Sequence, residues 1–336
     1  MITIGTLPID TNTFLAPLSG CSDLAFRLIA RECGAQFCFF EMVDAHSLLG
    51  PHQRKFHILR TTGQDRPIGA QLVGESPALM REAAHILLDH VPAVSLLDIN
   101  SACPVKKVVK KQAGAGLLNA PQTLFEIVRV LADSVSIPVT VKLRTGYSRF
   151  DLPYLLNIAK GCEDHGAAAL FVHGRTRDQG YSGDVNYEAI RAVKHAVNIP
   201  VIGSGNVFSP LSAQTMLDET DCDGLLVARG AFGNPWIFRH IEEFFKTGTL
   251  LPATTIPTRK QTLQRHLAYI KELKQNSPAG KIGFMRKVTL WYLKGFPHAA
   301  NVRAQVNTVQ SYDTLLRFID EHLSLEDVLK TTSAEY

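Results

Sequence analysis

The chain has 336 residues, 46% apolar and 20% charged, with a net charge of +4. That length and composition suit one large core or two domains and exclude a disordered or fibrous protein. Six cysteines (Cys21, Cys33, Cys38, Cys103, Cys162, Cys222) form no CxxC pair, which excludes a structural zinc or a disulfide scaffold and fits reduced thiols.

The first residues, Met1 to Pro8, lack the charged start and long apolar run of a signal peptide, and no later stretch approaches a membrane span, so a cytoplasmic protein is expected. Short apolar runs then alternate with helix-like segments. Strands are predicted at 14–18, 37–42, 67–73, 96–100, 139–144, 168–173, 201–204 and 224–228, and amphipathic helices at 22–33, 77–90, 122–134, 152–165, 187–196 and 210–219. This is the pattern of parallel βαβ units, and its eight repeats match an α/β fold, the (β/α)8 TIM barrel. After Leu250-Leu251-Pro252 the strand signal stops and the chain reads as helical, most clearly at 265–271 and 312–323. Residues 1–252 are therefore expected to form the barrel and 253–336 a small all-helical domain.

A barrel places its chemistry at the carboxyl ends of the strands. The unusual residues lie there. Ala16, Pro17 and Leu18 close the first strand, Glu41 the second, Gln71 the third, Asn100 and Cys103 the fourth, and Lys142 and Arg144 the fifth. His173 and Arg175 follow the sixth, Ser204, Gly205 and Asn206 the seventh, and Ala228 and Arg229 the eighth. Cys103, in Asn100-Ser101-Ala102-Cys103-Pro104, is either a catalytic acid or a small buried hydrophobe. The stretch after it carries Lys106, Lys107, Lys110 and Lys111 and ends in glycines, which suits a loop closing over an anion. Lys142 interrupts an apolar strand, so it must meet an anion: a structural carboxylate, or a ligand such as reduced flavin, whose charge gathers near N1 and O2. The glycine turns at 203–206 and 228–236 follow the two strands where barrels commonly hold phosphate. Gln71 and His173 offer hydrogen bonds to a ligand ring, while histidine spacing points to no metal.

Charge is uneven along the chain. From Arg259 to Arg303 ten Lys and Arg stand against Glu272 alone, a net +9 that leaves −5 for the remainder. Such a segment is either a polyanion-binding face or a solvated helical surface.

Together these residues carry a family resemblance. Leu15 to Gly20, Glu41-Met42-Val43, Ala70 to Gly74, Asn100 to Pro104, Val141 to Arg144, Val172 to Thr176 and Val201 to Asn206 resemble, in order, the motifs of tRNA-dihydrouridine synthases. Met285-Arg286-Lys287 with Trp291 to Gly295 is most similar to the bacterial B-type branch. Three positions depart from the family pattern: Ala102 stands where glycine is usual, and Ser204 and Asn206 stand where Ser204-Gly205-Asn206 would usually read Asn-Gly-Asp.

The resemblance implies FMN at the barrel mouth, its phosphate against Ser204, Gly205, Asn206, Ala228 and Arg229, and its ring against Ala16, Pro17, Leu18, Gln71, Lys142 and His173. It implies NADPH as reductant, hydride delivery from flavin N5 to C6 of a tRNA uridine, and Cys103 as the acid that protonates C5 from the opposite face. A cysteine with an ordinary pKa of about 8.5 is mostly thiol at neutral pH and suits that task. Asn100, Arg144, Arg175 and Arg177 are then expected to orient the base or backbone, and Lys106, Lys107, Arg286, Lys287 and Arg303 to contact the RNA. No metal and no obligatory protein partner is expected. An FMN barrel acting on a free pyrimidine, as a dihydroorotate-dehydrogenase-like enzyme does, leaves the +9 segment without a use. A non-catalytic RNA-binding protein leaves Cys103 and Lys142 without one.

Overall fold

The computed structural model describes residues 1–51, 53–274, 276–294 and 299–323. The chain opens with an antiparallel hairpin, β1 (Ile2–Ile4) and β2 (Leu7–Ile9). The strands that follow are β3 (Thr13–Leu15), β4 (Phe37–Phe39), β5 (Val43–Asp44), β6 (Ile68–Val73), β7 (Val94–Ser101), β8 (Val139–Arg144), β9 (Ala169–His173), β10 (Val201–Ser204) and β11 (Gly224–Val227). They pair in the order β4-β3-β11-β10-β9-β8-β7-β6-β5, and a further parallel pairing of β4 with β6 closes the ring. With the two-residue β5 set aside as an extension beside β6, eight parallel strands form a closed TIM barrel, as expected. Strand β8 has the predicted bounds, while β3 stops at Leu15 because Pro17 has no N–H to continue the ladder; Ala16 N–H makes the last bond, to Val227 O at 2.9 Å.

Helix starts follow from local chemistry. Ser76, Asp151 and Ser209 each accept a backbone N–H at the start of the helices Pro77–His90, Leu152–Asp164 and Pro210–Thr220, and each helix has proline in its first turn.

The lower barrel interior is apolar. Phe14, Phe37, Phe39, Leu96, Phe171, Ile202 and Leu226 form one buried cluster with Ile2, Ile4 and Ile9 of the hairpin. Gly5, at φ +57, turns the hairpin against Pro138 and Ala168, the residues that precede β8 and β9, so the hairpin plugs the amino-terminal end. Edge-on ring contacts (Phe14 to Phe37 at 5.3 Å, Phe14 to Phe171 at 5.6 Å) fill the centre, and a side chain at Gly69 would collide with the Phe39 ring. The hairpin was not foreseen from the sequence.

Packing divides the chain into two compact units: Met1–Asp23 with Ala35–Gly230, and Leu24–Gly34 with Ala231–Tyr336. The boundary expected at 252 thus falls inside the second unit, which also takes in an early helix, Leu24–Glu32, that periodicity assigned to the barrel. The reason is packing. Ala25 and Cys33 share a buried cluster with Trp236 and with residues of the helices Ile256–Leu273 (Leu263, Leu267, Ile270), Pro278–Tyr292 (Ile282, Met285, Val288) and Tyr312–His322 (Leu315, Ile319). Among the described residues no helix is long and apolar enough to cross a membrane.

Candidate active site

Above the apolar layer, the carboxyl ends of the strands carry polar side chains in register. Gln71 of β6 lies beside Asp98 of β7, Asp98 beside Thr140 of β8, and Asn100 beside Lys142. Gln71 Nε2 donates to Asp98 Oδ2 at 2.6 Å, Thr140 Oγ1 to Asp98 Oδ1 at 2.7 Å, and Asn100 Nδ2 to Gln71 Oε1 at 2.7 Å. Burial pushes the Asp98 carboxyl up to about 7, against the pull of Gln71, Thr140 and Lys142.

The Cys103 loop is pinned from several sides. Asn100 Oδ1 accepts the N–H groups of Ala102 at 3.0 Å and Cys103 at 2.8 Å, and Arg144 Nε donates to Ala102 O at 2.8 Å. Ala115 N–H reaches Cys103 O at 3.1 Å, and Gly114, at φ +58, packs so closely that a Cβ there would sit 3.0 Å from Cys103 Cβ. The thiol is half-buried; burial raises its pKa, offset in part by the Val105 N–H and by Arg144 and Lys142. It is therefore protonated at neutral pH.

Arg144 and Lys142 act on this loop, and Arg175 and Arg229 lie at the neighbouring strand ends. Among the described residues, Lys142 makes no hydrogen bond and none of Lys142, Arg144, Arg175 and Arg229 makes an ion pair. Burial first, and Arg144 next, lower the Lys142 ammonium to about 8. Buried Arg144 also donates to Thr176 O (2.8 Å) and Gly180 O (3.1 Å), and buried Arg175 to Gly183 O (2.6 Å) and Ser182 O (3.1 Å), so both guanidiniums brace the loop after β9. Asn206 Oδ1 accepts from both Arg175 (3.3 Å) and Arg229 (3.2 Å). Arg229 also lies 4.4 Å from the Tyr181 ring centre and 5.5 Å from that of Phe208. Burial, followed by the four cations, drops His173 to about 2, so its imidazole is neutral and offers one donor and one acceptor.

The structure thus joins Gln71, Asn100, Cys103 and Arg144 in one hydrogen-bonded network, and Arg175, Asn206 and Arg229 in another. Gly205 (φ +134) and Asn206 (φ +52) have left-handed backbones, with Ser204 buried beneath them. Ala16 is buried, and Pro17, Leu18 and Ala228 are half-buried at their strand ends. Arg177 stands apart, ion-paired to Asp178 at 2.6 Å and over the Tyr147 ring, and Lys106 and Lys107 are exposed on the short helix Lys106–Val109. Sequence reading passed over Asp98 and Thr140, although a carboxylate inside the apolar run Leu96-Leu97-Asp98-Ile99 raises the same question as Lys142. No group of His, Cys, Asp and Glu among the described residues could hold a metal.

In the second unit the basic segment is partly neutralised by acids remote in sequence. Arg265 pairs with Glu32 through bonds of 2.6 and 2.8 Å, Lys260 pairs with Asp320 at 2.8 Å, and Arg259 donates to the carbonyls of Tyr292 and Lys294. Arg286 bonds the Asn307 carbonyl, Lys287 lies over the Phe284 and Trp291 rings, and Arg303 is exposed. Gly295, the last residue of the B-type motif, lies outside the described residues, as do 324–336.

The family model described as Dihydrouridine synthase (Dus) matches residues 14–329. The chain belongs to the dihydrouridine synthase family. It is 37% identical over 313 residues to tRNA-dihydrouridine synthase B of Pseudomonas aeruginosa, covering 93% of each chain. To the probable tRNA-dihydrouridine synthase 1 of Synechocystis sp. it is 37% identical over 320 residues, covering 93% of this chain and 87% of that one. Such relatives place it with the bacterial B-type dihydrouridine synthases. Histamine dehydrogenase from Rhizobium sp. 4-9 shares the fold at a TM-score of 0.59 and 12% identity, over 80% of this chain and half (50%) of that longer one.

Proposed function

We propose that this dihydrouridine synthase reduces the C5–C6 bond of specific tRNA uridines to 5,6-dihydrouridine in the cytoplasm, with FMN as cofactor, NADPH as its reductant and Cys103 as proton donor. The observation that carries the reading is a thiol kept protonated in a pinned loop at a barrel mouth where Lys142, Arg144, Arg175 and Arg229 make no ion pair among the described residues. A surplus of buried positive charge calls for an anionic ligand.

The residues fit such a group. Lys142 offers an ammonium with no hydrogen bond or ion pair among the described residues, and the left-handed turn at Gly205 and Asn206, beside Arg229, leaves a cradle in which a side chain at 205 would collide with Val185. Ser204, Gly205, Asn206, Ala228 and Arg229 would hold the FMN phosphate, and Ala16, Pro17, Leu18, Gln71, Lys142 and His173 the ring. Gln71 spends one N–H on Asp98 and one lone pair on Asn100, so each end of its amide retains a second bond for a ring edge. When bound and reduced, FMN supplies the hydride for uridine C6.

The protein's own part is acid catalysis and positioning. Cys103 Sγ gives its proton to C5 as the C5–C6 double bond is lost, and solvent reprotonates the thiolate. Asn100 holds the loop that carries this thiol, Arg144 and Arg175 brace the strand-end loops around the base, and Arg177, Lys106 and Lys107 face the RNA. The helical residues 253–336, with Arg286, Lys287 and Arg303, provide phosphate contacts that offset the cost of drawing a uridine out of its stack. The relatives' names, tRNA-dihydrouridine synthases, support tRNA as the substrate.

Cys103→Ala tests the assignment. Flavin content and flavin reduction by NADPH should persist, while single-turnover formation of dihydrouridine in tRNA falls about 10²- to 10⁴-fold. Wild-type dihydrouridine formation by the variant would remove Cys103 from the role.

A further inference from the structure

Asp98 takes no part in the chemistry above, yet it is only 1% exposed, in a strand whose neighbours Leu96, Leu97 and Ile99 are fully buried. A carboxylate is tolerated there only if its oxygens are satisfied. Both are: Oδ1 receives Thr140 Oγ1 at 2.7 Å and Oδ2 receives Gln71 Nε2 at 2.6 Å. From Gln71 the bonds continue through Asn100, whose Nδ2 donates at 2.7 Å, to the backbone N–H of Cys103 at 2.8 Å.

The direction of this chain of bonds follows from its two ends. A side-chain amide has one donating and one accepting end, and which faces which partner is ordinarily ambiguous. Here the N–H groups of Ala102 and Cys103 can only donate, so Asn100 must turn its oxygen to them and its NH2 to Gln71. Gln71 must then accept from Asn100 and donate to its other neighbour. Asp98 Oδ2 accepts from Gln71 whether the carboxyl is ionised or carries a proton on Oδ1, facing Thr140, and so completes the sequence without conflict. Turning either amide over would set like groups face to face at both of its ends. The barrel register makes this possible, since Gln71, Asp98 and Thr140 are direct neighbours on β6, β7 and β8 and Asn100 follows on the same face of β7.

We propose that Asp98 is a positioning residue that sets the direction of the Gln71 and Asn100 amides and thereby holds the Cys103 loop in the orientation used to protonate the substrate. This rests on the reading of Cys103 as proton donor. Asp98→Asn keeps the shape but also presents an NH2 group, so the Asp98 end no longer imposes a direction and the amides are held from the Cys103 end alone. Thr140→Val retains the carboxylate and removes one of its two donors.

The test is made on flavin-loaded protein with two readouts: the rate of Cys103 alkylation by iodoacetamide, followed by peptide mass spectrometry, and single-turnover uridine reduction in tRNA. Asp98→Asn is expected to raise the alkylation rate by about threefold or more and to slow uridine reduction by about tenfold or more, with flavin retained. Thr140→Val should move both in the same direction by smaller factors. In a Cys103→Ala background, Asp98→Asn should change the residual rate by less than about twofold, because the group it positions is gone. Wild-type alkylation and turnover in both variants would overturn the proposal, as would equal slowing by Asp98→Asn with and without the thiol. If Cys103→Ala alone turns over at the wild-type rate, the proton-donor reading fails, while the alkylation rate still decides whether Asp98 holds the loop.

Discussion

The most direct test of the anionic-ligand reading is the pH dependence of FMN affinity. Lys142 stands in the interior with its ammonium lowered to about 8, chiefly by burial and then by Arg144, with Asp98 and Cys103 pulling it back up. The ammonium is the form that holds an anion. Affinity should therefore be full below the shifted value and decline as pH rises through it. With a pKa of about 8, roughly nine-tenths of the lysine is charged at pH 7 and roughly one-tenth at pH 9, so affinity should fall about tenfold, or about 1.4 kcal/mol, over that interval. The FMN phosphate, with a second pKa of about 6, is already dianionic throughout and adds no slope. Lys142→Met keeps the length of the side chain and removes the charge; it should bind FMN more weakly at pH 7 and show a flat profile. Anaerobic titration of reduced FMN, the form whose ring edge carries the negative charge, into apo-protein at pH 7, 8 and 9 measures both. A wild-type affinity that stays constant to pH 9, or a variant with the same slope, would refute the placement of Lys142 against the ligand's charge.

Gly205→Ala forces a side chain into a backbone at φ +134 and sets its Cβ 2.8 Å from Val185 Cγ2, so thermal unfolding should show a loss of about 1–3 kcal/mol and FMN release should accelerate; an unchanged melting temperature and release rate would count against a cradle at this turn. Neutralising Lys287 and Arg303 should weaken tRNA binding and shrink the slope of log affinity against log salt by about one for each phosphate left without its cation, with NADPH oxidation unaffected. Adding Arg286→Gln also frees the Asn307 carbonyl that this arginine bonds, so the double variant is the cleaner measure of charge. An unaltered slope would make this face a solvated surface.

The barrel was legible because its strands are short apolar runs bounded by helix caps, a purely local signal; 139–144 and 201–204 emerge with the predicted bounds. The hairpin at Ile2–Ile4 and Leu7–Ile9 escaped because three-residue strands carry too little periodicity to register. The early helix Leu24–Glu32 was recognised as a helix, but its partners Leu263 and Met285 are over two hundred residues away, and no local pattern names a distant partner. In the site, the same reasoning that singled out Lys142 applies to Asp98, which was overlooked as part of an apolar run. The roles of Arg144 and Arg175 as braces for carbonyls depend on loop geometry, which residue type does not encode.

That the second unit draws on both ends of the chain bears on how the protein can be made and rearranged. Its core needs Ala25 and Cys33 as well as Trp236 and Leu267, so the first of these leaves the ribosome long before the last. The Leu24–Glu32 helix must wait, with its apolar side uncovered, while the intervening two hundred residues are synthesised. A fragment beginning at residue 231 or 253 lacks that helix and carries an incomplete core. The helical part is consequently not a portable module that recombination can append to another barrel as one continuous piece; it can be inherited only together with the barrel strands encoded between its two segments.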